Sequence, residues 1–452
     1  MNLNPDIFKA YDVRGVYPGE VNEGAARAIG AAFVAYLNAR RIGVGRDMRL
    51  SSPALAAAFI DGAVSQGADV VDYGMVPTDL IYFAVARDRL DGGVQVTASH
   101  NPKQYNGMKM VRQEAFPLSG EEGLLEIRQT IAADALPPRA AHRGAVTEKN
   151  VLDQYLEHVM SFIDSAVIRP FNVVLDAGSG MGGLVAPRLF ERLPCRTTRL
   201  CFEIDGRFPN HEANPLIEEN RRDIVERVVA DKADVGIAWD GDADRCFFID
   251  GTGAFISGDF ITALLAEAFL LKHPGSTVLY DLRASLAVKD TVERYKGTAL
   301  MNRVGHAFFK RRMRETNGIF GGEVTGHYYF RDNFYADNGF IPALLILELM
   351  SKKGATLRDL VKPLAAKYFI SGEINTKLKS MAEVPAKLDQ IAAKYGEGHQ
   401  YKLDGLSVEY PDWHFNVRPS NTEPLLRLNL EATTPDMMAA KRDEVLALIR
   451  GA

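Results

Sequence analysis

Short apolar runs and longer amphipathic stretches alternate along this chain in an order that repeats three times. In the first copy residues 42–45 read as a buried strand, 53–66 as an alanine-rich helix, 69–71 as a second strand, 79–89 as a helix and 93–99 as a third strand. In the second, strands at 173–176, 197–202 and 235–239 enclose helices at 184–193 and 222–230. In the third, strands at 277–280, 299–301 and 318–320 flank one helix after the first strand and another at 306–314. Strands alternating with helical patterns predict parallel sheets with helical crossovers. Beyond Lys362-Pro363 the order changes. Residues 368–372 read as a joint, and strand-like stretches at 405–410, 413–417 and 425–430 predict a smaller unit. The expected fold is α/β: three similar α/β domains with mixed, largely parallel sheets plus a smaller C-terminal α+β domain, around a central cleft. Its expected bounds are 1–145, 146–250, 251–367 and 368–452.

Polar motifs fall where such a fold binds ligands. Ser99 in Thr97-Ala98-Ser99-His100-Asn101-Pro102, Asp240 in Asp240-Gly241-Asp242-Ala243-Asp244-Arg245 and Glu323 in Gly322-Glu323-Val324-Thr325-Gly326-His327 each stand at or just after the third strand of their own copy. Loops at the carboxyl ends of strands are the ligand-binding edge of open α/β sheets. Asp240, Asp242 and Asp244 alternate, so an extended or looped backbone turns their carboxylates to one side, and such a cluster suits a hard cation such as Mg2+. An EF-hand needs glycine at position six and glutamate at twelve; Arg245 and Gly251 stand there.

Ser99 is a poor nucleophile unaided, but a phosphoryl group carried on it makes it a donor, with a metal neutralising the phosphate oxygens. His100 and Lys109, the latter on a strand beyond a turn at Asn106-Gly107, are near enough in sequence to exchange a proton with a hydroxyl. Arg418, Ser420, Asn421 and Thr422 form a donor-rich loop stiffened by Pro419 and Pro424, suited to phosphate. Glu323, Thr325 and His327 alternate after a strand and suit a pair of sugar hydroxyls. His306 begins a helix and is a second candidate proton carrier, Arg283 ends the first strand of the third copy, and Arg14 is a further arginine suited to phosphate. Gly178, Gly180 and Gly183 match the dinucleotide-binding spacing but read better as a tight strand-to-helix turn. No Walker A lysine motif is present.

Composition narrows the class. At 47% hydrophobic and 25% charged residues over 452 positions, the chain reads as a soluble globular enzyme. A net charge of -5 argues against a nucleic-acid surface. Residues 1–11 carry no signal-peptide pattern, and the apolar stretches at 264–271 and 343–350, broken by Glu267 and Glu348, are too short for a bilayer. Three cysteines without a paired motif suit a reduced compartment. A cytoplasmic protein with no membrane partner is expected.

The motifs around Ser99, Asp240, Glu323 and Arg418, with Lys9-Ala10-Tyr11-Asp12-Val13-Arg14-Gly15, come in the order of the α-D-phosphohexomutase superfamily, and the chain most closely resembles its phosphomannomutase/phosphoglucomutase branch. The resemblance implies four domains, three of them similar. It implies that Ser99 is the phosphoserine, with Asp240, Asp242 and Asp244 binding Mg2+ together with the phosphate on Ser99. Lys109 and Arg245 would support transfer, with Arg14 and His100 nearby; His306, read above as a second candidate proton carrier, joins the expected catalytic set. Tyr11, Arg283, Glu323, Thr325 and His327 would contact substrate, and Arg418, Ser420, Asn421 and Thr422 would hold its phosphate. The implied reaction interconverts hexose 6-phosphate and hexose 1-phosphate through a hexose 1,6-bisphosphate, which also serves as activator. The last domain would move as a lid hinged near Ser371-Gly372. The branch more often has methionine and serine where Val324 and Thr325 stand, and lysine where Arg283 stands. The glucosamine branch typically has glutamine at the position of Val324. Mannose and glucose 1- and 6-phosphates are therefore the expected substrates, with a phosphoglucosamine mutase or a sugar-phosphate phosphatase as alternatives and a monomer or weak homo-oligomer as the expected state.

Overall fold

The computed structural model describes residues 4–120, 122–420 and 424–451. The chain forms two compact units, each built from separate stretches: Met1–Ile256, Gly305–Ile319 and Thr325–Leu357 in one, Ser257–Val304, Phe320–Val324 and Arg358–Ala452 in the other.

The first unit opens with β1 (Val13–Val16), β2 (Arg41–Arg46), β3 (Asp69–Met75), β4 (Gly92–Val96), β5 (Tyr105–Arg112), β6 (Phe116–Pro117) and β7 (Val146–Glu148). They form one sheet in the order β1-β5-β4-β2-β3-β7, with β6 beside β5. β4, β2, β3 and β7 run parallel, and β5 and β1 are antiparallel additions. Every residue of β4 is buried, as a strand covered on both faces requires. Helices Glu23–Leu37 and Ser52–Ser65 meet along a seam of small residues. A Cβ on Gly30 would lie 2.2 Å from the Phe59 carbonyl oxygen, and one on Gly62 2.0 Å from that of Arg27, so glycine alone permits this approach. A second sheet holds β8 (Asn172–Asp176), β9 (Arg196–Leu200), β10 (Val235–Trp239), β11 (Cys246–Asp250) and β12 (Phe255–Ile256), ordered β12-β11-β10-β8-β9.

In the second unit β13 (Thr277–Asp281) lies between β14 (Thr298–Asn302) and β15 (Phe320–Gly322), all parallel. The short antiparallel pair β16 (Tyr328–Phe330) and β17 (Ala336–Asp337) returns to the first unit. The second unit ends in an antiparallel sheet of β18 (Phe369–Ile370), β19 (Ile374–Lys377), β20 (His399–Tyr401), β21 (Leu406–Glu409), β22 (Trp413–Pro419) and β23 (Leu425–Ala432). Val384, Ile391, Phe415, Leu428, Val445 and Ile449 belong to its core.

The sheets are mixed, as expected: the strands after the reactive loops, β5 and β11, return antiparallel, because a short polar loop cannot make the long crossover that a parallel strand needs. Several expectations shift. Asn106 and Gly107 are no turn: both belong to β5, opposite Gly15 and Arg14. Residues 318–319 precede β15, since the helix His306–Thr316 runs on to a left-handed cap at Asn317. Residues 201–202 fall outside β9 and 97–99 outside β4. The expected joint at 368–372 carries β18, paired with β23. The apolar stretches lie in helices Gly258–Lys272 and Ile341–Lys353, both largely buried, and no described helix is long and apolar enough to cross a membrane.

Candidate active site

Ser99 follows β4 with φ of 50°, in the left-handed region that non-glycine residues rarely adopt. Its buried Oγ donates to Asp240 Oδ2 at 2.8 Å and lies 3.2 Å from His100 Nδ1. Two groups hold this conformation. Thr97 Oγ1 accepts the Ser99 N–H at 2.9 Å, and Arg49, 1% exposed, binds the loop from below. The Arg49 guanidinium donates to the carbonyls of Ser99 (2.9 Å), Asn101 (2.6 Å), Pro102 (2.8 Å) and Tyr105 (3.0 Å), and its Nε lies 3.2 Å from Asp47 Oδ2. Sequence reasoning missed Arg49; the only signal was a charged Arg46-Asp47-Met48-Arg49 run just past a strand.

The aspartate loop follows β10 and approaches the serine loop closely. A Cβ on Gly241 would lie 2.6 Å from the Ser99 carbonyl oxygen. One carboxylate oxygen from each of the buried Asp240, Asp242 and Asp244 lies within 4.8 Å of the others. Asp242 Oδ2 accepts from Thr78 Oγ1 at 2.5 Å and Lys109 Nζ at 2.7 Å, and Lys109 also donates to Asp244. The Oδ1 atoms of Asp242 and Asp244 are buried without a hydrogen bond, the latter with His327 Nε2 3.6 Å away. Such acceptors are costly to leave unmade, and hard oxygens are what Mg2+ takes, so the donor set fits that ion.

Burial, with Asp244 and Asp242 beside it, raises Asp240 well above the usual carboxylate range. Burial opposes the charge on Lys109, yet the three aspartates outweigh it and raise that group. His100 and His306 are both pulled well down, foremost by burial and then by Arg245 and Lys310 respectively, which favours the uncharged ring in each.

The rest of the first unit's set is linked to this centre. Arg245 Nε donates to His327 Nε2 at 3.2 Å, and Thr325 Oγ1 is 3.5 Å from His327 Nδ1. The rings of His306 and His327 stack with centroids 6.3 Å apart, and Tyr11 meets His306 edge-on at 5.5 Å. Arg14 donates to Asn101 Oδ1 at 2.6 Å and pairs with Asp12. Lys310, one helical turn after His306 and fully buried, pairs with Asp337 at 2.8 Å.

The second unit holds the remaining residues. Arg283 lies two positions beyond β13 and binds Asp281 through Nε (3.1 Å) and one terminal nitrogen (2.9 Å). Glu323 is 3.9 Å from that guanidinium. Arg283, Arg418 and Arg427 converge on Glu373 at 3.3, 3.3 and 3.2 Å. Burial opposes the Glu373 charge, but the three arginines prevail and lower its pKa. Glu373 and Arg427 escaped the sequence reading, although Arg418 and Arg427 are cross-strand partners on β22 and β23, a like-charged pair that calls for an anion. Ser420 closes the loop through its N–H to the Leu425 carbonyl at 3.0 Å; Asn421 and Thr422 lie outside the described residues. The segment from Glu323 to His327 is no strand extension: it is a turn between β15 and β16 with Gly326 at φ 86°. Glu323 belongs to the second unit, and Thr325 and His327 to the first.

Comparison with known proteins agrees with this architecture along the whole chain. Family models for phosphoglucomutase/phosphomannomutase α/β/α domains I, II and III match residues 5–137, 153–253 and 257–368, and the C-terminal domain model matches 373–448. A phosphomannomutase of Escherichia coli is 44% identical, covering 98% of this chain and 99% of its own. The phosphohexose mutases of Xanthomonas campestris pv. campestris (strain B100) show the same identity and coverage. The crystal structure of a phosphoglucomutase/phosphomannomutase family protein from Burkholderia thailandensis is 34% identical with a TM-score of 0.90, covering 99% of this chain and 98% of that one. With four domain models in order and relatives matched end to end, this chain belongs to the phosphoglucomutase/phosphomannomutase family.

Proposed function

We propose that the chain is a phosphomannomutase, acting also on glucose phosphates, that interconverts hexose 6-phosphate and hexose 1-phosphate through a phosphoserine at Ser99 and a hexose 1,6-bisphosphate. The observation that carries this reading is Ser99 Oγ on Asp240, beside two aspartates with buried, unsatisfied oxygens. Full-length relatives named phosphomannomutase support the sugar class.

In the first transfer a substrate hydroxyl attacks the phosphorus on Ser99, and its O–P bond forms as the P–Oγ bond breaks. The proton leaving the hydroxyl ends on Ser99 Oγ. His100, 3.2 Å from that oxygen and favoured in its uncharged form by burial, accepts and passes it. Lys109 and Arg245 face the charge of the transferring group. In the second transfer the bisphosphate turns over and returns its other phosphoryl group to Oγ, the Oγ proton passing to the sugar oxygen that is freed, with His306 as the second proton carrier; Thr325 and His327 would lie against sugar hydroxyls. Asp240, Asp242 and Asp244 would hold Mg2+, which when bound supplies positive charge against the phosphoryl oxygens. Arg283 and Glu323 would meet sugar hydroxyls, and Arg418 and Ser420, with Asn421 and Thr422, the existing phosphate. We further propose the domain bounds 1–145, 146–250, 251–367 and 368–452, a cytoplasmic location, and a monomer or weak homo-oligomer.

Phosphorus NMR of mannose 1-phosphate with the protein, Mg2+ and a trace of glucose 1,6-bisphosphate tests the reading. A growing mannose 6-phosphate signal is expected. Inorganic phosphate alone would make the protein a phosphatase, and no change would move the substrate to the hexosamine phosphates.

A further inference from the structure

A second cluster of side chains of the types that ligate metals lies at the end of β8, and the phosphoryl chemistry uses none of them. Asp176 closes β8, Cys201 follows the neighbouring β9, and His211 returns from the next loop. One donor atom from each lies within 4.8 Å of the others. His211 Nε2 is 3.0 Å from Asp176 Oδ2 and 3.6 Å from Cys201 Sγ. A tetrahedral zinc ion with bonds of about 2.1 Å to nitrogen and oxygen and about 2.3 Å to sulfur would set those two edges at about 3.4 and 3.6 Å.

Each donor is also oriented from behind. His211 Nδ1 lies 2.9 Å from the Glu212 carbonyl oxygen, so an N–H donated there leaves Nε2 facing the other two groups. Asp176 Oδ1 accepts the Gly178 N–H at 2.9 Å, which keeps Oδ2 for the cluster. Backbone or carboxylate partners behind the ligands are the usual support of metal-binding histidines and carboxylates. Cys201 sits at φ 54°, a strained conformation for a non-glycine residue, and is held there by the Ser179 N–H on its carbonyl at 2.8 Å. With Nδ1–H donated to the Glu212 carbonyl, a proton or a metal ion at Nε2 would be held between the carboxylate and the sulfur.

We propose that Asp176, Cys201 and His211 bind one Zn2+ ion, with the fourth position left to solvent. Bound there, the ion ties the segment around Cys201 and His211 to the end of β8. It takes no part in phosphoryl transfer. A second proton on His211 is its rival: burial opposes the charged ring, but hydrogen bonds to Asp176 and Cys201 outweigh it and push the metal-free group up to about 11.

Cobalt(II) titration of the full chain separates the two. A thiolate-to-cobalt charge-transfer band requires a cysteine ligand, and the aspartate site offers only oxygens, so cobalt bound there gives no such band. The expected result is a near-ultraviolet band saturating at about one Co2+ per chain and bleached by equimolar Zn2+. It should disappear in Cys201→Ser and in His211→Gln and persist in Asp242→Asn. A wild-type protein without the band, or a band unchanged in Cys201→Ser, would overturn the proposal and leave a protonated His211 paired with Asp176. The wild-type arm decides even where a variant fails to fold.

Discussion

Replacing Arg49 separates the geometry of the reactive loop from its chemistry, because Arg49 lies behind the loop and donates only to backbone carbonyls there. Its planar fork reaches four of them and keeps contact with Asp47. A lysine offers three donors on one atom and cannot span that set. Arg49→Ala leaves Asp47 buried without its cation, a loss of about 3–5 kcal/mol for a broken buried pair. At about 2–4 °C per kcal/mol for a domain of this size, the unfolding transition should fall by roughly 10 °C. Arg49→Lys keeps the charge, so stability falls less, but carbonyls of the loop lose charge-assisted bonds of about 1.5–3 kcal/mol each. A shift of Ser99 by about 1 Å is enough to lower kcat on the order of 100-fold. Steady-state kinetics and thermal unfolding of both variants read the two effects apart. The expected pattern for Arg49→Lys is a large fall in kcat, a KM within a few-fold of wild type and a modest fall in Tm. Wild-type kcat in Arg49→Lys would refute the idea that this guanidinium sets the position of Ser99.

Three further outcomes are expected. Gly241→Ala brings a Cβ to 2.6 Å from the Ser99 carbonyl oxygen; overpacking of about 1–3 kcal/mol should lower Tm and turnover together, and unchanged turnover would show that the loops yield freely. Chelation of divalent ions should abolish turnover and Mg2+ restore it, while Asp242→Asn raises the Mg2+ needed for half-maximal rate at least about tenfold, since a charged oxygen donor is lost; an unchanged requirement in titrations would remove Asp242 from the metal site. Asp259, pushed up to about 6 chiefly by burial, binds its proton more tightly folded than unfolded, so its favourable contribution is full at low pH and is lost as pH rises from about 4 through about 6. The stability of Asp259→Asn relative to wild type, from urea unfolding, should therefore climb across that window by up to about 3 kcal/mol and level off above it; a pH-independent difference would be the contrary result.

How much of this was readable from the chain varies by element. β10 matches its expected span residue for residue, and Ser99, Asp240 and Glu323 do follow β4, β10 and β15, because a buried apolar run cut short by a polar motif marks a strand end locally. The antiparallel return of β5 and β11 was not legible, since a strand's own pattern is the same whichever way its neighbour runs. Arg49 and Glu373 were missed for a different reason. One acts on carbonyl oxygens, which every residue has, and the other on arginines distant in sequence, so neither has a spacing to betray it. Lys310 and Asp337 were hidden likewise: each reads as surface charge until the fold buries the pair. The chain also gives no local sign that its third copy is shared between two units.

That sharing bears on how the protein is made. The first unit needs Gly305–Ile319 and Thr325–Leu357 as well as its long N-terminal stretch, so most of its chain leaves the ribosome well before the stretches that complete it. The second unit waits for the C-terminal sheet. Synthesis proceeds at about 5–20 residues per second, so several seconds separate the long N-terminal stretch from the segments that complete the first unit. One core of the first unit is already whole by then, since its members all lie within residues 7–136, so the early chain folds in part before the later stretches arrive to complete the unit.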